Sequence, residues 1–221
     1  MPVGERISHW AEKFIGTPYD PDPLGEYVTK KAIVADERVD CMYLTFRSAE
    51  LALSNTPEEA VERALELRFI EKGRLNPDGS VANYEERYQY AEDMVYSGKW
   101  GKDITASIGK ISEELASSSE IEGSRGRKSV IIVPKGDIPA SLTRLKSGDI
   151  VFFVKDPAKR VVGEIIGHIG IIKKEGDSIY LIHASGNKGK VSPAGEVKKV
   201  LFPEYIEKMR FVGIIVTRFG E

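Results

Sequence analysis

The densest apolar pattern lies at residues 147–185, SGDIVFFVKDPAKRVVGEIIGHIGIIKKEGDSIYLIHAS. Runs rich in β-branched and aromatic residues at 150–154, 167–172 and 179–184 predict three strands, separated by charged turn material at 155–160 and 173–177. The connection Lys174-Glu175-Gly176-Asp177 is short enough for a hairpin, so the segment reads as an antiparallel meander. Helical spacing comes earlier in the chain. Ile7, Trp10, Ala11, Phe14 and Ile15 predict a helix over residues 4–15, ended by Gly16 and Pro18. Asp40 is an N-cap for a helix over 41–54 with one apolar face of Met42, Phe46, Ala49 and Leu53. Thr56-Pro57-Glu58-Glu59 starts another, running to about residue 72. A third helix is expected over 83–97, stopped by Gly98, and a weakly patterned one over 103–117. Residues 20–25 and 117–129 read as loops and 76–79 as a turn. Residues 130–133 and 211–216 read as strands, with a short helix at 203–210.

Helices first and sheet afterwards give an α+β class, and 221 residues suit one domain carrying a helical insertion at about 55–146. A composition of 41% hydrophobic and 30% charged residues is that of a globular chain. A net charge of −2 with no long basic run gives no reason to expect nucleic acid as a partner. No apolar stretch reaches the roughly 18 residues of a membrane span. The start, MPVGERISHW, lacks the basic-then-apolar design of a secretory leader. As written, the chain is therefore expected in the cytoplasm, or in the periplasm or at the cell wall if a leader has been removed. Oligomeric state is not legible.

The candidate chemistry is a small set. The chain has one cysteine, Cys41, at the start of a predicted helix, and three histidines, two of which (His168 and His183) fall on neighbouring strands of the meander. A thiol in a helix's first turn is favoured as its anion by unpaired amides and the helix dipole. A histidine supported by a second histidine would move protons to and from such a nucleophile. The residues alone leave other readings open: a buried small thiol, histidines satisfied within a core, or a Cys-His-His metal site, although no CxxC or HxxxH spacing accompanies it.

Four segments carry a resemblance: AEKFIGTPY (11–19), Asp40-Cys41 opening a helix, LKSGDIVFF (145–153), and GHIGII with LIHAS (167–185). In order and spacing they resemble the NlpC superfamily of papain-like cell-wall cysteine peptidases. RYQYAEDMVYSGKWGKDIT (87–105), IPASLTRLKSGDI (138–150), HASGNKGKV (183–191) and FPEYIEKMRFVGIIVTR (202–218) are similar to its N-acetylmuramoyl-L-alanine amidase-like branch. The resemblance implies a papain-like fold, N-terminal helices packed on an antiparallel sheet, and no cofactor or metal. It implies Cys41 as nucleophile, His168 as base, His183 as orienter and Tyr19 lining the site. The implied substrate is a peptidoglycan fragment, cut between N-acetylmuramic acid and L-alanine. The chain departs from the pattern at Met42, where the superfamily has a small residue, and that bears on the contacts beside the nucleophile.

The insertion is where substrate selection would lie. Arg87, Tyr88 and Trp100 are candidates to stack on a sugar or pair a carboxylate, with core packing as the other reading of the aromatics. Asp40 is a candidate substrate contact as well as a cap. Two rival functions stand beside the amidase: a γ-D-glutamyl-diaminoacid endopeptidase, and a non-catalytic wall-binding module.

Overall fold

The computed structural model describes residues 1–20, 26–112, 115–116, 119–186 and 195–220. The loop expected over 20–25, from residue 21 on, and residues 187–194 lie outside the described residues. Helices are α1 (Val3–Lys13), α2 (Glu26–Thr29), α3 (Cys41–Ala52), α4 (Pro57–Leu67), α5 (Ala91–Tyr96), α6 (Thr105–Gly109), α7 (Ile138–Ser141) and α8 (Phe202–Lys208). Strands are β1 (Lys102–Asp103), β2 (Lys110–Ser112), β3 (Leu115–Ala116), β4 (Ser119–Glu122), β5 (Ser129–Pro134), β6 (Ile150–Val154), β7 (Ile166–Glu175), β8 (Ser178–Gly186), β9 (Gly195–Leu201) and β10 (Gly213–Arg218). The class is α+β. One antiparallel sheet runs β4-β5-β10-β6-β7-β8-β9, with β1 also paired to β10 and a separate β2–β3 pair.

Alternation along the strands divides the core in two. Ile150, Phe152, Ile169, Ile171 and Ile182 belong to the cluster shared with Ile7, Ala11, Leu44 and Phe46 of α1 and α3. Val151, Phe153, Ile172, Leu181 and Ile214 belong to the cluster shared with Phe202 and Ile206 of α8. Side chains of successive strand residues leave opposite faces, and both faces are covered. That is why β6 reads as an unbroken apolar run, IVFFV, with all five residues buried.

Local signals explain the well-predicted helices. The Thr56 hydroxyl accepts the Glu59 N–H at 3.2 Å, with Pro57 at the first helical position of α4. Gly16, at φ +87°, takes the left-handed conformation past the end of α1. The α4 helix stops at Leu67, short of residue 72, because the chain folds back and the Gly73 N–H reaches the Leu65 carbonyl at 2.7 Å.

The insertion departs further from expectation. No continuous helix spans 83–97. A 3₁₀ turn at Tyr84–Glu86 is followed by extended chain and then the short α5. Tertiary bonds replace the helical ones here: Tyr88 N–H donates to the Arg68 carbonyl at 2.8 Å and Ile70 N–H to the Glu86 carbonyl at 3.0 Å. The helix expected over 103–117 is only α6, followed by β2 and β3. Within the expected loop 117–129 lies β4, which pairs Ser119 with Ile132 and Glu122 with Ser129. Its sequence, SEIE, is the charged type of strand that tolerates a sheet edge, and such a strand carries little apolar signal. Among the described residues no helix is long and apolar enough to cross a membrane.

A buried ion pair ties α3 to the end of α4. Arg68 Nε and Nη2 donate to the two Glu50 oxygens at 2.6 and 2.7 Å, and neither side chain has exposed surface. The guanidinium lies 4.9 Å from the Tyr43 ring centroid and 5.2 Å from that of Phe46. Arg47 extends the network, reaching Glu50 at 3.2 Å and Asp36 at 2.7 Å. Removing one partner of such a pair leaves a buried charge uncompensated, which costs about 3–5 kcal/mol. Glu50→Gln is therefore expected to lower the urea midpoint by that amount of stability without changing the denaturant slope. A midpoint within error of wild type would show that the pair is solvated or dispensable.

Candidate active site

The start of α3 is fixed by its cap. Asp40 has extended backbone, and its carboxylate accepts the Tyr43 N–H at 2.7 Å. Cys41 thus takes the first helical position, and the Thr45 hydroxyl donates to its carbonyl at 2.8 Å. Cys41 is 6% exposed and borders a cleft of about 610 Å³. Tyr19, His168, His183, Ser185, Gly186, Tyr205, Arg210 and Phe211 also line that cleft.

Strand register sets the histidines together. Phe153 opposes His168 across β6–β7, and Ile171 opposes Ile182 across β7–β8. Counting along that ladder puts His183 beside Gly170, so the two rings leave one face as diagonal neighbours. His168 Nε2 and His183 Nδ1 are 2.9 Å apart, and the rings are nearly perpendicular at 87°. Aromatic walls hold the pair: His168 stacks on Phe211 at 6.4 Å and 7°, and Tyr205 meets the His183 ring edge-on at 5.0 Å.

Burial makes the two rings unequal. His183 is 5% exposed, and its pKa is pushed down to about 4, chiefly by desolvation and secondarily by the Lys198 ammonium. It is neutral at physiological pH and can accept through Nδ1. His168 is half-buried at the cleft. The Tyr205 phenol is held above its usual range by burial first and then by the charge of Cys41, which places the two groups in one electrostatic neighbourhood.

Tyr19 is 2% exposed, and its ring packs on Gly186, where a Cβ would lie 2.1 Å from Tyr19 Cγ. The close approach requires glycine there. Its N–H donates to the Gly195 carbonyl at 2.8 Å and its carbonyl accepts from Arg38 at 2.8 Å, so lead-in and sheet are tied at the cleft.

The structure does not bring the other candidates to this cleft. Trp100 has no exposed surface. Its Nε1 donates to the Leu67 carbonyl at 3.1 Å, and its ring packs on Phe46 and Phe219, so it is a core residue and not a sugar platform. Arg87 and Tyr88 line a separate cleft of about 530 Å³ with Tyr90, Tyr96, Arg125 and Arg127. There the Arg87 guanidinium lies 4.2 Å over Tyr84. Asp40 is 8% exposed, and its capping bond accounts for its position. Sequence reasoning missed Tyr205, Lys208, Arg210 and Phe211. The one available signal was the change from helix to strand at 208–211, which turns the chain at the sheet's end. Among the described residues no group of three or more His, Cys, Asp or Glu side chains is placed to hold a metal ion.

Solved structures share this fold. An N-acetylmuramoyl-L-alanine amidase from Bacteroides uniformis superimposes with a TM-score of 0.71 at 19% identity, covering 99% of each chain. A protein from Legionella pneumophila gives 0.75 at 16% identity, covering 98% of this chain and 88% of that one. A putative xylanase from Bacteroides fragilis gives 0.68 at 20% identity, covering 96% and 99%. At such identities the likeness is one of fold. No curated protein matches the chain significantly. A family model described as AmiA-like, N-acetylmuramoyl-L-alanine amidase-like, matches residues 9–214. That is nearly the whole chain, and the protein belongs to this amidase-like family.

Proposed function

We propose that the protein is a cysteine hydrolase of peptidoglycan fragments, built on an NlpC-type papain-like scaffold, that cuts the amide between N-acetylmuramic acid and L-alanine. The observation that carries the reading is the 2.9 Å bond between His168 and His183 beside a helix-initial cysteine in one cleft.

The chemistry follows from the tautomers. Neutral His183 accepts the His168 Nε2–H through Nδ1, so His168 Nδ1 carries the lone pair that takes the Cys41 proton. The thiolate is favoured by the imidazolium it leaves behind and by the positive end of α3. It attacks the lactyl carbonyl carbon of the muramic acid, forming a C–S bond. The oxyanion takes a hydrogen bond from the Cys41 backbone N–H. Collapse breaks the C–N bond as His168 Nδ1–H protonates the leaving L-alanine amine. Water, deprotonated by His168, then hydrolyses the thioester and restores the thiol.

The test is mass spectrometry of a digest of defined muropeptides. The expected products are a free stem peptide beginning at L-alanine and a peptide-free amino sugar. Removing the sugar is expected to depress turnover, because binding of the non-reacting part helps position the scissile carbonyl. Release of L-Ala-D-Glu, or equal cutting of bare peptide, would assign the endopeptidase activity instead.

A further inference from the structure

Two cations line the cleft of Cys41 and the histidines, and among the described residues no carboxylate pairs with either. They are Lys208 and Arg210, and no aspartate or glutamate lines the cleft among the described residues. Several arginines elsewhere are paired with carboxylates: Arg47 with Asp36, Arg68 with Glu50, Arg125 with Asp93 and Arg218 with Asp149. Among the described residues neither Lys208 nor Arg210 has a carboxylate within salt-bridge distance, and both are exposed. The Arg210 guanidinium lies 5.8 Å from the Phe211 ring, whose plane is parallel to His168.

The segment carrying them is held from behind. Lys135 Nζ donates to the Glu207 carbonyl at 3.1 Å and the Met209 carbonyl at 2.7 Å. Its backbone N–H donates to the Val212 carbonyl at 2.9 Å, and the Val212 N–H donates to Val154 at 3.0 Å. The backbone on either side of Lys208 and Arg210 is therefore fixed where these two residues border the cleft. Such preorganisation lowers the ordering cost of binding an anion, and a guanidinium fork matches a carboxylate in two-point geometry.

We infer that Arg210, assisted by Lys208, is the specificity-determining subsite for a stem-peptide carboxylate: the free α-carboxylate of the D-glutamyl residue that follows L-alanine. The inference rests on the amidase reading above. That carboxylate is one residue from the scissile amide, and a cleft of about 610 Å³ has room for the junction and its neighbour. A charge held there contributes to placing the carbonyl over Cys41 without touching the reacting atoms.

The test pairs N-acetylmuramoyl-L-alanyl-D-glutamate with its D-isoglutamine analogue, in which the carboxylate is a neutral carboxamide. Wild-type protein is expected to prefer the acid by about tenfold in kcat/KM, mostly through KM. Arg210→Ala is expected to bring that preference toward unity, Arg210→Lys to keep part of it, and Lys208→Ala to reduce it less than Arg210→Ala does. Equal use of both substrates by wild type, or an unchanged preference in Arg210→Ala, would overturn the subsite. Dissociation constants of the same pair on Cys41→Ala protein decide the question independently of turnover. If neither compound is cut, the amidase reading fails, while a tenfold difference in affinity that disappears with Arg210→Ala still supports the carboxylate subsite. Equal affinities would remove it.

Discussion

Turnover of a muropeptide is expected to fall by at least about 10⁴-fold in Cys41→Ala, the scale on which loss of a nucleophile is felt when the rest of a site stays intact. The fold is expected to survive. The cap of α3 is a bond from the Tyr43 amide to Asp40, and the Thr45 hydroxyl bonds the Cys41 backbone carbonyl, so both contacts that fix the start of the helix remain in the alanine variant. Iodoacetamide is expected to alkylate Cys41 and inactivate in parallel, with a rate that follows the thiolate fraction. A protein stoichiometrically alkylated at Cys41 that still turns over substrate would remove this residue from the mechanism.

The second large effect separates the histidines. His168→Ala removes the group proposed to exchange protons and is expected to cost about 10²–10⁴-fold. His183 supplies only an acceptor at 2.9 Å, so His183→Gln, which keeps an acceptor, is expected to retain measurable activity. Equal losses in both variants would dissolve the division of labour. Stability gives an independent reading of His183. Its pKa is depressed from 6.5 to about 4 in the fold, so the unfolded chain binds the extra proton between those values. Stability therefore rises with pH across about 4 to 6.5 and is lost on acidification, by up to about 3 kcal/mol from this residue. Thermal melts of His183→Gln are expected to be flatter over that window, and an unchanged slope would mean that another group dominates it.

The residues that were legible in the sequence were those governed by local rules. Asp40 and Thr56 cap helices through bonds made three residues away, and the β6–β8 meander follows from apolar runs and a short hairpin. The pairing of His168 with His183 was legible because register is set by the same alternation. Residues 83–97 were not, since their helical spacing is overridden by bonds to residues 68–70, which no window of neighbouring sequence contains. Trp100 illustrates the ambiguity of aromatics: the same side chain serves a sugar platform or a core, and only packing against Phe46 and Phe219 distinguishes them. Arg210 was hidden for the opposite reason. One surface cation among 32 lysines and arginines carries no signal until the carboxylates around it are mapped.

The diagonal placement of His168 and His183 on β7 and β8 has a consequence for folding order. Cys41 emerges early in synthesis, but its partners lie in the last quarter of the chain, and Tyr205 and Phe211, which wall the rings, come later still. Pairings of such long sequence separation are slow to form relative to local helices. A partly synthesised or partly folded chain therefore carries an isolated thiol with no proton acceptor beside it. On the proposed mechanism, hydrolytic competence would arrive only with closure of the sheet, and the topology itself would keep immature chains inert.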